Sequence, residues 1–68
     1  MSFGYNPLWK MLIDKNMKKL DLVKQIGISR STLAKLSKNE YVSMEVLDKI
    51  CQFFKCQISD IVEHVSNT

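Results

Sequence analysis

A chain of 68 residues, 46% hydrophobic and 25% charged, has room for one globular domain with a small core and none for a second. It holds no apolar run near the ~20 residues that span a bilayer. It also lacks the basic start and apolar stretch of a secretion signal, so the expectation is a cytoplasmic protein with no membrane partner. The net charge of +3 is unevenly placed, with +6 between Lys15 and Lys38 and −3 over the remainder, which points to a polyanion on one face.

In chain order, residues 1–6 read as a short N-terminal arm. Pro7 suits the first turn of a helix, where its missing N–H costs nothing, and Asn6 is a candidate N-cap. The first helix is predicted from about Pro7 to Lys15, with Asn16 ending it. A second runs from Lys18 or Lys19 to Ile26 on the helical spacing of Leu22, Val23 and Ile26. Gly27 stops it, because glycine takes a left-handed conformation freely. Ser29 then caps a third helix reaching about Ser37, whose apolar face is Leu33 and Leu36. Residues 38–42 form a loop in which Asn39 tolerates the left-handed conformation. Ser43 caps a fourth helix, with Glu45 favourably placed in its first turn. Its wide apolar face is Val46, Leu47, Ile50, Cys51, Phe53 and Phe54. Ser59 caps a last short helix containing Asp60, Ile61, Val62 and Val65. No segment alternates with a period of two, so no strand is predicted, and the chain reads as a single all-α domain over residues 1–68.

The chemistry narrows by elimination. Cys51 and Cys56 are spaced C-x4-C rather than as a zinc knuckle and read as two buried, reduced thiols. His64 is the only histidine and reads as solvated, so neither a metal nor a cofactor is expected. There is no nucleophile–base pair, paired carboxylate or glycine-rich phosphate loop, so no enzyme is expected either. Asp14 and Asp21 read as solvated.

What remains is residues 19–38: a short helix, a glycine turn and a capped second helix. Leu22, Val23, Ile26, Ile28, Leu33 and Leu36 share one apolar seam. Two short helices joined so tightly must cross steeply, which leaves the outer face of the second projecting from the body. A projecting helix fits the DNA major groove, about 12 Å wide. That outer face carries Arg30, Ser31, Thr32, Ala34, Lys35 and Lys38. Arg and Lys reach guanine acceptors, the hydroxyls serve bases or phosphates, and Ala34 permits close approach. Lys18 and Lys19 are placed for phosphates.

Segment 17–33, M-K-K-L-D-L-V-K-Q-I-G-I-S-R-S-T-L, resembles the Cro/C1-type helix-turn-helix family, whose members often read T-Q-E-E-L-A-E-K-L-G-V-S-R-S-T-I. The resemblance continues through S-M-E-V-L-D-K-I (Ser43 to Ile50) and I-S-D-I (Ile58 to Ile61). It implies a compact five-helix bundle of the lambda-repressor-like type and sequence-specific operator binding by a bacterial or phage regulator. Carried over by position, it assigns base contacts to Arg30, Ser31, Thr32, Ala34 and Lys35. Phosphate contacts fall to Lys19 at the start of the second helix and to Lys38 and Asn39 after the third. The chain departs from the family in several places. Val23 stands where a small residue is usual, and Lys19 where Gln is common. Ser37 and Leu12 replace a frequent Glu–Arg ion pair. Cys51 and Cys56 occupy positions of Ala and Val.

On the first helix, Leu8 and Met11 match family core positions, whereas Trp9, Leu12 and Ile13 make a second apolar stripe. The expectation is a homodimer contact there, setting two recognition helices about 34 Å apart on a palindromic double-stranded site. The competing reading is a protein-binding module, an antitoxin or adaptor, that keeps the fold without using DNA.

Overall fold

The structure, a computed structural model, describes residues 2–65. Among the described residues, four helices carry the fold. α1 is Asn6–Asp14. Residues 20–21 lead into α2, Leu22–Ile26, which is wound as a π-helix. α3 is Arg30–Ser37 and α4 is Met44–Phe54. A single 3₁₀ turn, Ile58–Asp60, follows. The strands β1, Ser2–Gly4, and β2, Glu63–Val65, then pair antiparallel, Ser2 opposite Val65, Phe3 opposite His64 and Gly4 opposite Glu63.

The helices and the turn after α4 enclose a single core: Tyr5, Leu8 and Leu12 from the α1 side, Leu22, Ile28 and Leu36 from the helix-turn-helix, Leu47 and Ile50 from α4, and Ile61. Full burial of an aliphatic side chain stabilises by roughly 1.5–3 kcal/mol, so no single element holds the fold. All three α-helices end alike. Asn16, Asn39 and Lys55 take left-handed conformations with φ of 55°, 58° and 54°. The next residue's N–H reaches back to the carbonyl five positions earlier: Met17 to Leu12 at 2.8 Å, Glu40 to Lys35 at 2.8 Å and Cys56 to Cys51 at 3.1 Å. This closure satisfies carbonyls that the helix itself leaves unpaired. Gly27, at φ 90°, does the corresponding work after α2.

The structure corrects several expectations. Residues 2–4 are not a free arm but strand β1; Met1 lies outside the described residues. The all-α reading thus misses a small sheet. Asn6 does not cap α1: Tyr5 takes the cap position without a side-chain bond, because its ring is buried and its hydroxyl is committed to the Glu40 carbonyl at 2.6 Å. The expected fifth helix is the 3₁₀ turn alone, so a five-helix count does not hold. Ser59 sits inside that turn rather than capping it, and the Asp60 carboxylate accepts from the Gln57 N–H at 3.0 Å. So short a segment cannot repay helix nucleation, and the residues after it gain their backbone bonds from β1 instead. Asp21 is not simply solvated either; its carboxylate accepts from the Lys18 N–H at 2.8 Å and fixes the start of the second helical segment.

Candidate nucleic-acid interface

α3 is placed by Ile28, Leu33 and Leu36, which turn inward. Leu36 is fully buried, Ile28 is buried, and Leu33 packs on the core's edge. Arg30, Ser31, Ala34, Lys35 and Lys38 are left exposed on the opposite face, while Thr32 is half-buried. α2 packs against both α3 and α4. Its π winding shows in the Gly27 N–H, which bonds the Leu22 carbonyl at 3.1 Å. Val23, a β-branched residue, lies in this wider turn and packs against the core.

The start of α3 is a hydroxyl cluster. Ser29 Oγ accepts from the Thr32 N–H at 3.1 Å and donates its own proton to Thr32 Oγ1 at 2.9 Å. It also lies 3.0 Å from Ser31 Oγ. A hydroxyl has one proton to give, so Ser31 is the donor in that third bond. The consequence is polarity: Thr32 retains a free O–H to donate outward, and Ser31 retains lone pairs to accept. Arg30 follows directly after the cap, where the helix dipole adds to its positive charge.

The expected phosphate residues Lys18, Lys38 and Asn39 are exposed. Lys19 is exposed too, but its Nζ rests 4.4 Å from the centre of the Trp9 ring, a cation–π contact that draws it toward α1. Lys24, on the same basic segment, is exposed.

The expected dimer stripe is split. Leu12 is 2% exposed and belongs to the core, because one helical turn puts it on the same face as Leu8. Ile13 is 72% exposed, and Trp9 is half-buried. The two line a shallow hollow with Asn6, Pro7, Lys10 and Glu63. Cys51 and Cys56 are free and half-buried rather than buried. Burial pushes the Cys56 thiol up from its ordinary value, and the neighbouring Cys51 thiol pushes it the same way. His64 is not merely solvated: its ring lies edge-on to Phe3 at 5.4 Å. Among the described residues no group of three or more His, Cys, Asp or Glu could hold a metal ion, and no helix is long and apolar enough to cross a membrane. Tyr41, in the loop predicted over residues 38–42, is 69% exposed, and its ring meets Phe3 edge-on.

Three comparisons bear on this surface. The family model for the Cro/C1-type HTH DNA-binding domain matches residues 7–67. Among solved structures, the chain is similar to the transcriptional regulator VanUg, form II. The two are 48% identical, the match covers 97% of this chain and 88% of that one, and the TM-score is 0.93. No curated protein matches.

Proposed function

Because the chain belongs to the Cro/C1-type helix-turn-helix DNA-binding domain family, we propose that it is a cytoplasmic transcriptional regulator that reads one double-stranded DNA sequence with the helix opening at Ser29. The observation that carries this reading is the two-sidedness of α3. Leu36 is fully buried while Arg30, Ser31, Ala34 and Lys35 stand free on the other side. Arg30 and Lys35 supply donors for guanine O6 and N7, Thr32 a further donor, Ser31 an acceptor, and Ala34 the space for a thymine methyl. Lys18, Lys19, Lys38 and Asn39 hold the sugar–phosphate strands on either side and set the register without reading sequence. The full site is a palindrome bound by two copies, with Trp9 and Ile13 on the contact between them.

Selection from random duplexes with the purified protein tests the reading. A single enriched motif with two inverted halves is the expected result. Arg30→Ala or Lys35→Ala then lowers preference for that motif by about 1–3 kcal/mol per base contact. Lys19→Ala weakens all duplexes alike and reduces the salt slope by about one. Failure of the unaltered protein to retain any duplex at low ionic strength overturns the proposal.

A further inference from the structure

The three α-helix closures differ in what they bring together. In each, the N–H that follows a left-handed residue bonds the carbonyl five positions back, and the two residues so joined sit side by side. After α1 they are Leu12, in the core, and Met17, packed against it. After α3 they are Lys35 and Glu40, which border one hollow. After α4 they are the chain's two cysteines, Cys51 and Cys56. The 3.1 Å bond between the Cys56 N–H and the Cys51 carbonyl and ordinary bond lengths hold the two Cα atoms within about 7 Å. A disulfide spans roughly 4.4–6.8 Å between Cα atoms. The side chains meet as well: burial, and then the Cys51 thiol beside it, push the Cys56 thiol up from its ordinary value. Both thiols are free and half-buried, and they border one open groove with Leu47, Asp48 and Ile58. This closure is also the one least favoured by its own turn residue. Asn16 and Asn39 belong to a residue type that visits the left-handed conformation; Lys55, at φ 54°, does not.

We propose that Cys51 and Cys56 are a modification site that forms a reversible intramolecular disulfide by exchange with a small-molecule disulfide. One protein thiolate attacks the small disulfide, forms a mixed disulfide and displaces one small thiol. The second protein thiolate attacks the protein sulfur of that bond and displaces the other small thiol. Two protein S–H bonds and one small S–S bond are exchanged for one protein S–S bond and two small S–H bonds. The protein gives up two electrons and the small disulfide takes them. The new bond lies across a contact already made, so no helix has to move, and it pins Lys55 between two tied residues. In reducing surroundings the pair stays open. The groove draws no residue from α3, so this site stands independently of the DNA face.

The test equilibrates the full chain in mixtures of reduced and oxidised glutathione, with and without enough urea to unfold it. Products are read by intact mass and by alkylation of free thiols. The expected product is a monomer lighter by two hydrogens, with no thiol left to alkylate and full reversal by dithiothreitol. The folded chain should favour that product about tenfold or more over the unfolded chain, the scale of closing a short loop. By linkage, the oxidised chain should unfold at a higher urea concentration than the reduced one. Cys51→Ser and Cys56→Ser should each stop at the mixed disulfide with glutathione. Equal disulfide formation in the folded and unfolded chains overturns the proposal, as does a lower unfolding midpoint on oxidation, since either shows that the closure does not align the thiols. A bond between two chains, or glutathione retained on the unaltered protein, overturns it as well.

Discussion

At the scale of single residues, Tyr5 and Cys56 make stability depend on alkaline pH. Burial pushes the Tyr5 phenol above its ordinary 10.0, with the nearby Tyr41 acting in the same direction. Burial and then the Cys51 thiol raise Cys56 above 9.0. Both groups are neutral when protonated, and the folded chain holds those protons more tightly than the unfolded chain. Their contribution is therefore fully present below the unfolded values and is lost as pH rises toward and through the folded ones. Urea unfolding should show stability level at neutral pH and falling from about pH 9 upward. Cys56→Ala should remove the first part of that fall. Tyr5→Phe should flatten the later part and cost about 1 kcal/mol at neutral pH through the lost bond to Glu40. An unchanged alkaline profile in both variants would show that neither proton is held. Leu12 marks the limit of reading residues one at a time. Helical spacing already put it beside Leu8, but the family's polar residue at that position drew attention to the surface. The apolar side chain simply completes the core.

At the scale of elements, what was legible is what local chemistry decides. α3 and α4 start at the serines that the sequence marks, since a cap is a bond between near neighbours: Ser29 to Thr32, and Ser43 to Val46 at 3.2 Å. Gly27 and Asn16 end their segments, and Asn39 takes the left-handed conformation, as expected for the same reason. Ser29→Ala should therefore cost about 1 kcal/mol by thermal unfolding. It should also weaken specific DNA binding, because Thr32 and Ser31 lose the partner that orients their hydroxyls. Ser29→Asp should restore most of the stability but not the binding, since an acceptor-only cap cannot donate to Thr32. Recovery of both would assign Ser29 to capping alone. The sheet was illegible because its pairing joins residues about sixty positions apart, and three-residue strands are too short to show a period. The π winding of α2 was hidden too. Its apolar spacing fits either helix, so the spacing alone does not choose between them.

At the scale of the whole molecule, the longest dimension is 36 Å, close to the ~34 Å that separates successive major-groove faces. Ile13 is the most exposed large hydrophobic residue on α1 and is the sharper probe of the proposed contact. Sedimentation over a concentration series should show a dimer for the unaltered protein and a monomer for Ile13→Glu. A monomer at high micromolar concentration for the unaltered chain ends the dimer proposal without touching the reading of α3. The exposure of Arg30, Ser31 and Lys35 follows from helical geometry alone and so was legible in the sequence. The placement of Tyr41 was not, because Phe3, which meets its ring, and Tyr5, which holds the loop, lie more than thirty positions away.

The pairing of β1 with β2 also brings the first and last described residues together. Ser2 and Val65 face one another across a single strand spacing, about 5 Å. Whatever is joined at either side leaves from the same corner of the body, so modules added at both would compete for one space. Conversely, a few linking residues between them would make the polypeptide a closed ring with no rearrangement of the helices.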